Sequence, residues 1–189
     1  MKDILTIIKL APKNFFLFPF YAVSAWMMTI LTYIISPFLS AWSVIADINV
    51  LPYPFNLFHT HDNTLDGGQK ALKWPVPESK IGLWWQRIRW MWRNSAYGYK
   101  AFVIGFKTED HKVIFSKSVG NRQFDKGGSV LYIVVMEDAK GERYWSYRRD
   151  YELFGKYFSK QWLGWTYTAR DGIHHQLKCL PFSWKSPKK

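Results

Sequence analysis

Residues 14–46 read NFFLFPFYAVSAWMMTILTYIISPFLSAWSVIA, thirty-three positions without one charged side chain. An ionisable group costs about 2.5–3.5 kcal/mol at the centre of a membrane helix, so a charge-free apolar run of this length points to a bilayer. The helix of a soluble core would show one polar face, and none is visible here. A helix from about Phe15 to Ile35 is long enough to cross a bilayer once. Pro37, preceded by Ser36, divides the run, and a weaker apolar piece continues from Phe38 to Phe58. The alternatives are therefore a transmembrane helix or a re-entrant helical hairpin that turns near Ser36-Pro37. Cleavage as a signal peptide fits poorly, because the apolar stretch is too long and bulky Trp and Met stand where small residues are required.

Charge sets the surroundings. Net charge is +12, and residues 47–189 carry 23 Lys and Arg against 13 Asp and Glu. Such a field favours anionic lipids or nucleic acid. The 11 Trp and 11 Tyr suit a membrane interface and equally suit base stacking. Lys2, Lys9 and Lys13 precede the run, and Asp47, Asp62 and Asp66 follow it, which favours an inside N-terminus. The basic charge from Lys70 onward instead favours the cytoplasmic leaflet for the C-terminal part, and a hairpin reconciles the two. The single cysteine, Cys179, forms no intramolecular disulfide and sits in an expected strand without a nucleophile motif.

The chain divides by composition into an anchor (1–46), a connector (47–80), a basic α+β domain (81–184) and a basic tail (185–189). Four prolines and Asp66-Gly67-Gly68 keep the connector irregular. Helical spacing puts Ile81, Trp84, Trp85, Ile88 and Trp92 on one face of a helix over 81–93, capped by Ser79 and closed by Asn94 and Gly98. That face is expected to pack on a sheet, with Trp90 pointing away from it. Strands are expected over 101–107 and 112–118 as a pair, 130–136, 142–149, and 157–167 with 173–182 around the turn 169–172. The fold class is thus α+β: an anchor, one amphipathic helix and a small antiparallel sheet.

Two constellations carry candidate chemistry. In the segment from His59 to Gly68, Asp62, Thr64, Asp66 and Gly67 fall on the first positions of a calcium-loop pattern. The twelfth position is Lys73 instead of Glu. His59 and His61 with Asp62 lack a further zinc ligand nearby. The simpler reading of His59, His61, Asp62, Asn63, Asp66 and Gly67 is a turn in which Asp and Asn side chains bond backbone amides. The second constellation, Trp84, Trp85, Arg87, Arg89, Trp90 and Arg93, mixes rings and guanidinium groups as an interfacial helix or a nucleic-acid surface does. No phosphate loop, paired-Cys motif, nucleophile elbow or His-Glu zinc helix is present, so no catalytic residue and no cofactor are assigned.

Thr60-His61-Asp62-Asn63-Thr64-Leu65-Asp66-Gly67 and Trp92-Arg93-Asn94-Ser95-Ala96-Tyr97-Gly98-Tyr99 follow a hydrophobic N-terminus in that order, with Gly164-Trp165 near the end. The arrangement resembles a family of small, functionally uncharacterised tailed-bacteriophage proteins with an Asp-Asn-x-x-Asp-Gly turn and an Arg-Asn-x-x-Tyr-Gly element. The resemblance implies a viral membrane-associated protein at the inner membrane of an infected bacterium, and it implies no activity. The functional expectation is an accessory protein that binds a host or phage component. The alternatives are a membrane-tethered nucleic-acid binder and a metal-dependent enzyme built on the His59 to Asp66 segment.

Overall fold

A computed structural model describes residues 2–59, 65–120, 130–153, 157–168 and 173–185. It is α+β, with a long apolar N-terminal helix followed by antiparallel strands. The chain forms two compact units: residues 1–22 with 105–189, and residues 23–104. The compositional segments end at 46, where the charge-free run ends, and at 80, where the proline-rich connector gives way to the helix, whereas the units follow which residues pack together.

The first unit is built on sheet. Helix α1 (Lys2–Leu10) leads into α2 (Pro12–Ile45), whose first turns belong to this unit. Strands β2 (Lys112–Gly120), β3 (Val130–Glu137), β4 (Arg143–Leu153), β5 (Tyr157–Trp165) and β7 (Leu177–Leu180) form an antiparallel sheet in that order. Strand β8 (Trp184–Lys185) also pairs with β5, while β1 (Phe106–Lys107) pairs with β6 (His174–His175). Ile133 to Met136 are all buried, so both faces of β3 are covered, as alternation of side chains requires. Asp138 fixes the β3–β4 turn by accepting the amides of Lys140 and Glu142 at 2.9 and 2.8 Å. Trp145 and Trp165 meet Phe18 of α2, with ring centroids 5.0 and 6.3 Å apart. Gly164 makes this packing possible. Its φ is +89°, and a Cβ there would lie 2.2 Å from the Trp145 carbonyl oxygen.

The pairing of 112–118 differs from expectation. Strand β2 pairs with β3, and residues 99–103 form one turn of π-helix in the other unit. The β-prone side chains of Phe102 and Val103 are overridden by tertiary bonds just upstream: Ala96 donates to the Phe58 carbonyl and Gly98 to the His59 carbonyl. The strands expected over 157–167 and 173–182 do pair, as β5 with β7. The turn 169–172 lies outside the described residues, as does the tail 186–189.

The second unit is helical. It holds the rest of α2, a 3₁₀ turn (Phe55–Phe58), the short α3 (Gln69–Leu72), α4 (Lys80–Arg93) and the π turn (Tyr99–Val103). Ser79 caps α4 by accepting the Gly82 amide at 3.1 Å, and Asn94 closes it. Its apolar cluster is small: Leu39, Leu51, Leu65 and Met91, flanked by Ile35, Ile48 and Phe58.

Of the two forms expected for the apolar run, the continuous helix is present and the turn at Ser36-Pro37 is not. Pro37 lacks the N–H that would bond the Tyr33 carbonyl. The Ser36 hydroxyl takes its place, donating to that carbonyl at 3.2 Å while accepting Trp92 Nε1 at 2.7 Å. Tyr33 Oη donates back to the Trp92 carbonyl, and Trp84 Nε1 donates to the Pro37 carbonyl. Ser36 thus satisfies the carbonyl that the proline orphans, and α4 adds bonds to the Ser36 hydroxyl and the Pro37 carbonyl beside it.

Candidate membrane-contact face

The chemistry of α2 is sorted by side. Buried positions recur at helical spacing and are mostly small or hydroxylated: Asn14, Ala22, Ala25, Thr32, Ser36, Leu39, Ser40 and Ser43. The outward positions are large and apolar: Phe16, Phe20, Val23, Met27, Ile30, Ile34, Phe38 and Ile45 form one continuous row. Phe20 is 74% exposed, Phe38 75% and Ile45 81%. A helix of a water-soluble protein buries its large apolar stripe and exposes its polar one. In α2 the arrangement is reversed. Small residues let helices approach closely and large ones face outward, the division found where the surrounding medium is itself apolar. Composition alone did not reveal which side was which. The readable signal was the recurrence of Ala, Ser and Thr every three or four residues.

Helix α4 repeats the reversal. It buries Gln86, Arg87, Ile88, Trp90 and Met91. Ile81, expected on the packed face, is 76% exposed, and Trp85 is exposed with it. The face expected to pack on the sheet thus points outward at these two positions. The reason is the partners: Arg87 bonds Ser43 in the hydroxyl row of α2, and Gln86 donates to the Pro75 carbonyl of the connector and accepts Gln69 Nε2, so polar groups profit from burial there. Trp90, expected to point away, is only 4% exposed and meets Trp74 edge to face with centroids 6.3 Å apart. Its ring lies over Gly68, where a Cβ would come within 3.0 Å of it.

Arg87 is likewise inside. Its Nη1 donates to Ser43 Oγ at 2.8 Å and to the Ile48 carbonyl at 2.9 Å, and its Nη2 donates to Asn49 Oδ1. Burial pushes its pKa down, opposed by the nearby carboxylates of Asp47 and Asp66. Arg87 joins α4 to the end of α2 and the loop behind it, and it is not available as a surface contact. Trp84 is half-buried against α2. Arg89 and Arg93 are exposed, and Arg89 stacks on Trp74 at 4.8 Å. A nucleic-acid surface on α4 is thereby reduced to these two guanidinium groups.

The segment after α2 behaves as a turn where it is described. Asp66 accepts the Gly68 amide at 2.8 Å and the Lys70 amide at 2.9 Å, which occupies both carboxylate oxygens. Gly67 has φ +70°, and a Cβ there would lie 2.7 Å from Gln86 Oε1. His59 is fully buried, and its carbonyl accepts the Gly98 amide. His61, Asp62 and Asn63 lie outside the described residues. Among the described residues no group of three His, Cys, Asp or Glu side chains is placed to hold a metal ion. The Trp92 to Tyr99 element meets the chain just ahead of Thr60, at Asn56 to His59. Gly98 approaches the backbone so closely that a Cβ would fall 2.4 Å from the Asn56 carbonyl oxygen.

The model of a family of unknown function, DUF7338, matches residues 9–187. The chain belongs to DUF7338. The match takes in the whole of α2 and every strand, so the reversed helix and the sheet are both parts of the DUF7338 domain. Searches of curated proteins and of solved structures give no match. Membership in DUF7338 assigns no activity, so the physical character of α2 has to carry the functional argument.

Proposed function

We propose that this DUF7338 chain is a membrane-attached accessory protein that lies against a lipid bilayer through the outward face of α2 and acts by binding a partner there. The single observation that carries the reading is the reversal of α2, with hydroxyl and alanine side chains inward and Phe, Met, Ile and Trp outward. Left in water, such a row would be a large exposed apolar patch of the kind that marks an interaction surface. In hydrocarbon it needs no cover.

The length of α2 favours lying in the bilayer surface over crossing it. The charges that bracket the run, Lys13 and Asp47, stand about 51 Å apart at 1.5 Å per residue, whereas the hydrocarbon core is about 30 Å thick. A crossing with both charges at the edges of the hydrocarbon core needs a tilt of more than about 50°, beyond the usual range of about 0–40°. The resemblance to tailed-phage proteins supports a bacterial inner membrane as the site, with the basic residues 47–189 facing the anionic cytoplasmic leaflet. A role in modulating host envelope functions follows from that placement.

The test uses the full chain with Cys179→Ser and a single cysteine at Lys13 or at Asp47, bound to lipid vesicles from outside. A membrane-impermeant maleimide labels both variants if α2 lies in the surface. Labelling of one and protection of the other indicates a crossing. Failure to float with vesicles under any condition removes the membrane reading altogether.

A further inference from the structure

The junction of α1, α2 and the β3–β4 turn holds a cavity of about 500 Å³, lined by Lys9, Lys13, Lys140, Arg143, Glu142 and the backbone of Leu10 to Pro12. That volume lies within the roughly 300–1,000 Å³ of small-molecule sites. Four cations face one carboxylate. Glu142 is already occupied: its Oε1 takes Lys13 Nζ at 2.8 Å and Asn14 Nδ2 at 3.0 Å. Arg143 donates Nε to Glu137 and Nη1 to the Leu10 carbonyl. Lys9 and Lys140 are exposed and carry no salt bridge among the described residues. The cavity therefore has unspent positive charge held in a fixed frame, which suits a phosphate.

Its position selects the source of that phosphate. Lys9, Lys13, Phe16 and Phe20 succeed one another at three- and four-residue steps, so the basic lining runs directly into the outward apolar row. The bonds Ala11 N to Ile7 O and Phe15 N to Ala11 O carry helical spacing across the break before Pro12. A phosphate seated among these cations has Phe16 and Phe20 beside it for acyl chains. We propose that this cavity is a headgroup site for an anionic phospholipid, with Lys9 and Lys140 supplying the uncompensated charge and Lys13 and Arg143 the frame. The proposal deepens the membrane reading and rests on it. It adds that one lipid class is recognised at one place, beyond a general attraction between basic protein and anionic surface.

The experiment is flotation of the full chain with vesicles of phosphatidylcholine alone or mixed with phosphatidylglycerol. Lys9→Gln/Lys140→Gln is compared with Lys107→Gln/Lys112→Gln, which removes the same charge from exposed strand positions elsewhere in the sheet unit. The expected result is about thirtyfold weaker partition of the first variant into the mixed vesicles, with less than about a threefold change for the second. Binding to phosphatidylcholine alone should be the same for both. Equal losses in the two variants, or none in the first, overturn the site while leaving membrane attachment intact. A wild-type chain that floats with neither vesicle fails the membrane reading itself. A parallel thermal-shift series in neutral detergent uses inorganic phosphate and a short-chain phosphatidylglycerol. Stabilisation of wild type by the lipid, absent in Lys9→Gln/Lys140→Gln, supports the headgroup site. Stabilisation by free phosphate to the same extent overturns the lipid assignment.

Discussion

The sheet unit and the helical unit solve the problem of burial in opposite ways. In the sheet unit, Ile133, Val134, Val135 and Met136 fill the interior of β3, and cations such as Arg149 stand outside. In the helical unit, Arg87, Gln86, Ser36, Ser40 and Ser43 go inside, and Met27, Ile30, Ile34, Phe38 and Ile81 stand outside. Hydrophobic burial holds the first, at roughly 25 cal/mol per Å² of apolar surface removed from water. The second has a small apolar cluster and leans on hydrogen bonds between side chains and carbonyls. Where water surrounds a domain, such bonds replace equivalent bonds to solvent and gain little net. Where hydrocarbon surrounds it, an unmade bond is the expensive alternative. The two units of one chain thus differ in which chemistry they bury.

The contrast can be broken most directly on the outward row. Met27→Lys/Ile30→Lys/Ile34→Lys places three charges where lipid is proposed. Each costs up to about 2.5–3.5 kcal/mol at full depth, so flotation with vesicles should fall by about a hundredfold or more. Near-ultraviolet circular dichroism from the sheet tryptophans should be unchanged. Normal flotation would show that α2 meets something other than lipid.

Inside the sheet unit, Gly164→Ala should cost about 3 kcal/mol, because φ +89° and the Trp145 carbonyl both oppose a Cβ. Urea denaturation in mild detergent measures it. In the helical unit, Arg87→Ala should cost about 2–3 kcal/mol by removing the charged donor from buried Ser43 Oγ and from the Ile48 carbonyl. Arg87→Lys should recover only part, since one ammonium does not span the forked contacts. A stabilising Arg87→Ala would mean that polar contacts do not hold this unit.

The smallest effect is a pH dependence. The Lys13 ammonium, and the Asn14 amide with it, hold Glu142 below its ordinary carboxylate range. A lowered folded-state pKa adds stability that is present above the unfolded value of about 4.5 and lost as pH falls through the folded one. The Tm difference between wild type and Glu142→Gln should therefore be present at neutral pH and shrink on acidification below about 4.5. A difference that stays constant with pH would detach Glu142 from this pairing.

Much of this was readable from the residues. The class, the long apolar helix, the cap at Ser79, the β3–β4 turn at Asp138 and the β5–β7 pairing follow from local chemistry. The direction in which α4 faces did not, because periodicity marks a stripe without saying what stands opposite it. Here Ser43 of the hydroxyl row stands opposite Arg87, and Trp74 with Gly68 of the connector stands opposite Trp90, so both turned inward while Ile81 turned outward. Residues 101–103 misled for a similar reason: Gly98 and Ala96 are tied to the 58–59 backbone, a contact across nearly forty residues that no local propensity encodes. The basic cavity joins Lys9 and Lys13 to Lys140 and Arg143, residues about 130 apart, and only the fold assembles it.

Pro37 has a consequence for how the chain is made. The Ser36 hydroxyl that satisfies the Tyr33 carbonyl is itself engaged by Trp92, which leaves the ribosome more than fifty residues later. During synthesis α2 has no α4 beside it, and its weakest joint is at that proline. Until then the Tyr33 carbonyl depends on the Ser36 hydroxyl alone. Once α4 is made, Trp92 on the Ser36 hydroxyl and Trp84 on the Pro37 carbonyl add two long-range bonds at that joint, so the middle of α2 is completed by residues that follow it by about fifty positions.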